Sequence, residues 1–600
     1  MNNQNPFVYE FLTIYSQSDR STGGTRGYDQ KTYVETKLDT YLAPIIGDPK
    51  TKLVVLTGNA GDGKTAFIQR LESIARSNGA EFKWETDNGC LFIANGVTYE
   101  TLYDGSQDFE GTNNDAVLAA FFQQFEGDKP PTGNFTKIIA INEGKLRDFL
   151  LRKSQYKWIG KQTHHYLEYE SFHPHQSLVF VNLNLRSVVD IKADTESLFD
   201  LLLGRFLDLN SDLGFWEHCL PENCAFADRC YIRYNVDSFR DPLCGSEIRQ
   251  RLKHLFLAVH FRKIRHITMR DLRSILSFIL FNKATCEQLQ VHIHSESPFI
   301  EKFYYNAAFN GAERDRIAQL LGEMDVATVS NPKLDSFIHF HAPDSTEIQE
   351  LLIKGNLDNQ ADLVHLQYLF HNRPEGTTDV DVRRHKNAEL YHAAMRRKLF
   401  FEGDEEKMRA AGLPTWKEML PYRQFSRFLS VIEQGSDPDN SLRDEITLAI
   451  SKSERIYNEI VGTENLCLRS VGAKQNQTKA FYGFPASQFQ VVVKDIGSQN
   501  TYLEHLPNCI YYRRTSEQGE ADQSVELEIP LDLFEILFRI KDGYVPTASE
   551  IRTFFLNLEM FKRRVTSRRS DRVFLTDDDT NLFEIKSDSE LRIVMTKLGG

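Results

Sequence analysis

A chain of 600 residues that is 41% apolar, 12% aromatic and 26% charged can bury several hydrophobic cores and does not belong to the disordered class. Its 71 basic against 84 acidic side chains leave a net charge of −13, which argues against a surface coated all over in nucleic acid but permits a local basic groove. The opening MNNQNPFVYEFLTIYS lacks a basic stretch followed by an apolar one, no run approaches 18 uncharged apolar residues, and the eight cysteines, four of them scattered, fit a reducing compartment, so the expectation is a cytoplasmic protein with no signal peptide or membrane span.

In chain order, the polar, glycine-rich QSDRSTGGTRGYDQ (17–30) predicts a loop, and KTYVETKLDTYLAPII after it has helical periodicity. Short apolar runs then alternate with helical stretches: KLVVLTG, GCLFIANG (89–96), KIIAINEG (137–144) and SLVFVNLN (177–184). Such runs, bounded by turn residues and separated by helices, predict a parallel α/β sheet. From 194 to 433 apolar stripes of helical period dominate, as in SLFDLLLGRFLDL, TMRDLRSILSFILF and AELYHAAMRRKLFFE. EQGSDPDNS (433–441) reads as a linker, and the remainder mixes alternating runs such as FQVVVKD, CIYYRR, SVELEIP, RVFLT, LFEIK and LRIVM with a helix around 530–560. The expected organisation is an N-terminal segment (1–30), an α/β P-loop NTPase core with a parallel sheet (31–193), a helical lid (194–290), a helical domain (291–433) and an α+β C-terminal domain (442–600).

Within LVVLTGNAGDGKTAFIQRLE, residues Gly58, Asn59, Ala60, Gly61, Asp62, Gly63, Lys64 and Thr65 fill the pattern G-x-x-x-x-G-K-[ST], with Ala66 opening the helix. Glycines let backbone amides turn inward around a phosphate, Lys64 would reach the β- and γ-oxygens, and the Thr65 hydroxyl would ligate Mg²⁺. ATP with Mg²⁺ is therefore the expected ligand. Phosphoryl transfer to water also needs an acid at a neighbouring strand tip, and Glu143, about 80 residues after the lysine at the end of KIIAIN, is the candidate base. Asn182 or Asn184 in FVNLN would read the γ-phosphate, and Arg265, Arg270 and Arg273 are arginine candidates for the same charge. Lys64, Glu143 and Asn184 form the expected catalytic set.

The order of glycine/arginine loop, G-x-x-x-x-G-K-[ST], IIAINEG, FVNLN and helical lid resembles AAA+/STAND-like P-loop NTPases. In that family the upstream loop contacts the base, which implies Thr25, Arg26 and Gly27 near adenine and Arg26 among the cofactor contacts. The family usually has aspartate where this chain has Asn142, which implies a weakened metal shell and slow or absent hydrolysis. The GNxGDGK form is similar to ATPases of bacterial anti-phage systems, such as the DptF component of phosphorothioation-dependent DNA restriction. That likeness implies partner proteins of a defence system, foreign DNA as a target, and a homo-oligomer or hetero-complex.

Four cysteines fall in one window, Cys219, Cys224, Cys230 and Cys244, spaced C-x4-C-x5-C-x13-C. Four thiolates suit tetrahedral Zn²⁺ or an iron–sulfur cluster; a free-thiol mini-core is the alternative. The pairs His164/His165, His173/His175, His292/His294 and His339/His341 stand with no matching third ligand and read as ordinary histidines. In DDDTNLFEIK, Asp579, Glu584 and Lys586 match a nuclease metal arrangement, though a hairpin with an acidic turn is the plainer reading. The basic runs at 561–572 and 382–398 are solvated charge or small phosphate-binding patches. Three functions follow: an ATPase acting as a regulatory or motor-like subunit in defence against foreign DNA, a nucleotide-dependent scaffold that hardly hydrolyses, and a nucleotide-gated nuclease.

Overall fold

A computed structural model describes residues 4–16, 31–109, 111, 113–168, 173–191, 196–209, 213–294, 299–311, 315–353, 360–374, 381–456, 459–469, 478–494, 501–515, 521–567, 570, 572–577, 581–587 and 592–598. Strands whose residues are apolar without alternation need cover on both faces, and three of the expected runs have it. In β1 (Leu53–Thr57), β5 (Phe135–Ala140) and β6 (Leu178–Asn182) nearly every residue is buried. Val54, Leu56, Ile138 and Val181 face Phe67 and Ile68 of the helix Lys64–Ser77, while Leu53, Val55, Ile139 and Phe180 face Leu118, Phe122 and Phe149 on the other side.

With β2 (Glu81–Thr86), β3 (Gly89–Ala94) and β4 (Val97–Leu102) they make one six-stranded sheet in the order β2-β3-β4-β5-β1-β6. β1 runs parallel to β5 and β6, and β4 parallel to β5, as the alternation of runs and helices implies. The expected parallel sheet is therefore mostly parallel: β2-β3-β4 is an antiparallel meander. The reason is local. Between β3 and β4 only Asn95 and Gly96 intervene, both at positive φ (52° and 75°), a tight hairpin that leaves no room for a helical crossover.

Contact density divides the chain into two compact units, Met1–Val259 with Arg265–Pro421 and Ile496–Leu506, and His260–Ile264 with Tyr422–Asp495 and Pro507–Gly600. The helical stripes after the sheet form, among others, the helices Leu198–Leu207, Tyr231–Arg240, Met269–Phe281 and Val382–Glu402. Leu503 from the late segment Ile496–Leu506 packs with Leu42, Phe67 and Leu183 in the core on one face of the six-stranded sheet.

In the second unit β9 (Phe489–Val492), β10 (Ile510–Thr515) and β11 (Ala521–Ile529) form an antiparallel sheet in the order β11-β10-β9. A five-stranded antiparallel sheet runs β14-β13-β12-β8-β7, from Asn465–Arg469 (β7) and Thr478–Pro485 (β8) through Arg572–Asp577 (β12) and Asn581–Ser587 (β13) to Ile593–Leu598 (β14). The expected helix around 530–560 is two helices, Leu531–Lys541 and Ala548–Thr566. Among the described residues no helix is long and apolar enough to cross a membrane.

Candidate functional site

β1 lies between β5 and β6, so the chain leaves it to one side and returns on the other, and loops at the carboxyl ends of the parallel strands converge beside the residue that follows β1. That residue is Gly58. Gly58, Gly61 and Gly63 have φ of 140°, 99° and 89°, a backbone that L side chains rarely adopt, so the motif's glycines are required by conformation. At Gly61 space is also short: an added Cβ would stand 2.8 Å from Arg270 Cβ. Gly61→Ala is expected to weaken nucleotide affinity by about 5-fold or more, since about 1–3 kcal/mol of local strain corresponds to about 5- to 150-fold. Gly63→Ala, with nothing within 4 Å, carries only the φ penalty and a smaller loss; titration of both variants with a fluorescent ATP analogue checks the order.

The loop is held by its own polar groups. Asp62, fully buried, accepts the Asn59 N–H at 2.6 Å and faces His266 Nε2 at 2.9 Å. Its backbone carbonyl accepts from Arg186 Nη1 at 3.1 Å, and Arg186 Nε lies 3.1 Å from Glu504 Oε2. The Asp62 side chain thus shapes the loop. Lys64 begins the helix Lys64–Ser77, and its ammonium donates to the carbonyls of Gly58 and Asn59 at 2.9 and 2.7 Å. Burial pulls the Lys64 ammonium below its ordinary range, Asp62 and Asp104 act against that, and Arg270 adds to it. Asn59 and Ala60 are exposed on the loop, and Ala66 lies in the first turn of the helix.

Thr65 Oγ1 donates to the carbonyl of Tyr103 at 3.3 Å, which brings the hydroxyl to the end of β4. The next residue is Asp104. Its Oδ1 accepts the Ser106 N–H at 2.8 Å, and its backbone N–H donates to Asn88 at 2.8 Å, so the carboxylate is positioned by the turn that carries it. Sequence reasoning does not reach Asp104, because VTYETL interleaves polar with apolar residues and has no apolar run to mark it as a strand. The signal present was the Asp-Gly turn immediately after it.

Asn142 is the N-cap of the helix Glu143–Arg152, its Oδ1 accepting the N–H groups of Gly144 and Lys145 at 2.9 and 3.4 Å. Glu143 reaches across to β6, where Asn182 Nδ2 donates to its Oε2 at 3.3 Å. Of the two asparagines on that strand tip, Asn182 therefore meets the acid. Asn184 is exposed, its backbone N–H capped by Asn182 Oδ1 at 3.1 Å. Among the three arginines, Arg270 is the one at the glycine loop, its backbone N–H donating to the Gly61 carbonyl at 3.1 Å. Arg265 lies 3.8 Å from Asp271, and Arg273 donates to Thr32 at 2.8 Å.

No family model, curated protein or solved structure matches this chain. The chemistry of the site rests on these residues. A lysine ammonium, a loop of positive-φ glycines, a threonine hydroxyl, two carboxylates and an arginine gather at one sheet edge, and the oxygen donors Thr65 and Asp104 have the hard-ligand character that Mg²⁺ takes. Thr25, Arg26 and Gly27 lie outside the described residues.

Away from this edge, Cys219, Cys224 and Cys230 line one small cavity, but Cys244 does not join them. Cys244 is buried, its N–H bonded to Asp241 Oδ1 at 2.9 Å, with Glu402 nearby. The fourth cysteine lining the cavity is Cys286, which clustering along the chain could not show. Among the described residues there is no group of three or more His, Cys, Asp or Glu that could hold a metal ion. His164 pairs with Glu168 at 3.2 Å, and His292 and His294 belong to the helix Cys286–His294 rather than to a strand. In the second unit Asp579 lies outside the described residues, while buried Glu584 stands 3.6 Å from Arg572 and 3.7 Å from Lys586, the ion pairing of an ordinary hairpin. Lys562, in the basic run, is taken up by Glu454, Glu559 and Ser453.

Proposed function

We propose that the first unit is an ATP-dependent P-loop NTPase that hydrolyses ATP. The observation that carries this reading is the convergence of Lys64, Thr65, Asp104 and the Asn182–Glu143 pair on a loop whose three glycines need positive φ. Backbone amides of Ala60, Gly61 and Gly63 to Thr65 hold the β-phosphate, and Lys64 turns from the loop carbonyls to the β- and γ-oxygens. Thr65 and Asp104 would hold Mg²⁺, which when bound neutralises charge on the phosphates. Glu143, oriented by Asn182, takes a proton from water as its oxygen attacks the γ-phosphorus and the bond to the bridging oxygen breaks, leaving ADP and phosphate. Arg270 places its side chain beside Gly61 of the loop and, through the helix Met269–Phe281, carries the nucleotide state into the helical part of the same unit.

The wider role, a regulatory or motor-like subunit that acts with partner proteins and oligomerises in bacterial defence against foreign DNA, rests on the resemblance of the loop motif and is part of the proposal. Hydrolysis is measured on the full chain with Mg²⁺, at two protein concentrations, with and without DNA. Turnover is expected to fall by about 10²-fold or more in Glu143→Gln, with ATP binding retained, and both are expected to be lost in Lys64→Ala. Unchanged ATP binding in Lys64→Ala would sink the reading. Tight binding without turnover under any of these conditions would leave a nucleotide-dependent scaffold.

A further inference from the structure

The peptide between Asp62 and Gly63 is trans, so its C=O and N–H point in opposite directions. Its carbonyl accepts from Arg186 Nη1 at 3.1 Å. Holding that oxygen on one side of the loop turns the Gly63 N–H to the other, where it is one of the donors of the proposed phosphate site. Arg186 is thereby placed to aim a loop amide.

Arg186 is itself held by residues far along the chain. It follows the turn Leu183–Leu185 at the end of β6 and is buried. A buried guanidinium needs a carboxylate beside it, and Arg186 Nε has Glu504 Oε2 at 3.1 Å. The other oxygen of Glu504 accepts the Lys37 N–H at 2.6 Å, so the carboxylate is fixed through both oxygens.

The backbone around Glu504 is seated on the same turn. The Ser187 N–H donates to the Glu504 carbonyl at 2.7 Å, the Leu506 N–H to Ser187 Oγ at 2.9 Å, and Ser187 Oγ to the Leu506 carbonyl at 3.2 Å. His505 Nδ1 lies 2.9 Å from the Leu185 carbonyl, and Leu503 is fully buried in the core that holds Phe67 of the loop's helix. In the chain this segment stands between β9 and β10, with Pro507, Asn508 and Cys509 alone separating it from β10. The α/β core expected over 31–193 is therefore completed by residues more than 300 positions later, as the Ser187–Leu506 bonds show.

We propose that residues 502–506 are a regulatory arm of the nucleotide site and that Glu504 is a positioning residue, acting on the glycine loop through Arg186. The inference rests on the P-loop reading of that site. Phosphate on the Gly63 N–H polarises the peptide and makes the Asp62 carbonyl a stronger acceptor, which tightens the Arg186 bond and with it the Glu504 pair. The coupling is reciprocal: a seated arm raises nucleotide affinity by the same factor by which bound nucleotide favours the seated arm.

The test is amide hydrogen exchange of the full chain with and without a non-hydrolysable ATP analogue and Mg²⁺, beside titration of the same analogue. Exchange at Ser187 and Leu506 is expected to slow by about 5-fold or more when the analogue binds. Glu504→Gln is expected to weaken analogue affinity by about 5-fold or more and to remove the slowing at Leu506. Arg186→Lys keeps the charge but loses the fork that serves Asp62 and Glu504 together, so it should match that loss, and the double variant should lose no more than either single one. Should the variants fail to fold, the wild-type exchange decides alone. Analogue binding with no slowing at Ser187 and Leu506, equal slowing throughout the helix Val382–Glu402, unchanged affinity in folded Glu504→Gln, or additive losses would each overturn the arm. Failure of the wild type to bind the analogue would instead sink the P-loop reading, and the arm with it.

Discussion

Asp104→Asn is expected to lower ATP turnover by about 10²-fold or more and to raise the Mg²⁺ concentration needed for half-maximal rate, while Asn142→Asp leaves turnover at or below the wild-type level. Read along the chain, the two substitutions have the opposite order: Asn142 occupies the place where the resembling family carries its metal acid, so restoring aspartate there would speed hydrolysis. The geometry reverses that order. Asn142 Oδ1 is committed to the N–H groups of Gly144 and Lys145, a task aspartate performs equally well as an N-cap, and its own N–H goes to Ser106 Oγ at 2.8 Å. Asp104 instead follows the residue whose carbonyl receives the Thr65 hydroxyl, and its charge is felt by Lys64. Asparagine at 104 keeps the volume and removes the charge, so the fold is preserved. Steady-state hydrolysis across a Mg²⁺ series, with binding of a fluorescent ATP analogue beside it, decides the matter. Faster turnover in Asn142→Asp, or none lost in Asp104→Asn, refutes the placement of the acid.

That reversal shows which links were legible in the chain. β1, β5 and β6 are buried on both faces and so are written as unbroken apolar runs, and the motif that follows β1 demands glycine by backbone conformation alone. β2 is almost entirely exposed, and β4 carries Glu100, whose carboxylate pairs inside the sheet with buried Lys137 at 2.7 Å, so neither has a run to read. With no run to mark β4, nothing in the sequence marks Asp104 at its tip. At the next strand the choice between Asn182 and Asn184 depended on where the strand ends. It ends at Asn182, and the turn Leu183–Leu185 sends Asn184 to the surface. At the cysteines, proximity in sequence groups Cys244 with Cys219, Cys224 and Cys230, whereas the cavity that those three line also has Cys286, from a helix far along the chain, in its wall. Local pattern encodes elements, and the partners of a site are set by which elements adjoin.

Lys398→Met is expected to destabilise the first unit by about 3–5 kcal/mol, the cost of stranding buried carboxylates once their cation is removed. Lys398 lies in the helix Val382–Glu402, and its ammonium donates to Asp362 at 2.7 Å and to the Tyr234 hydroxyl at 2.8 Å, with Glu402 2.9 Å away. Tyr304 and Tyr305 donate to Glu402 and Asp362 at 2.7 and 3.1 Å, and all of these residues are buried. Burial alone would lower the Lys398 ammonium, but Asp362 and Glu402 outweigh it and hold it above the ordinary lysine range. For a cation raised in this way, the stabilisation is complete below the unfolded lysine value near 10.4 and is lost as pH rises through the higher folded value. The wild type should therefore lose stability at strongly alkaline pH more steeply than Lys398→Met. Changing Lys398 to Met, Asp362 to Asn and Glu402 to Gln together should recover most of the loss, since it removes the charges as a set. The four tryptophans, Trp84, Trp158, Trp216 and Trp416, all belong to the first unit, so urea unfolding followed by their fluorescence reports it directly. A loss below about 1 kcal/mol in Lys398→Met would mean that water reaches the carboxylates and that the network is not the closed one its distances describe.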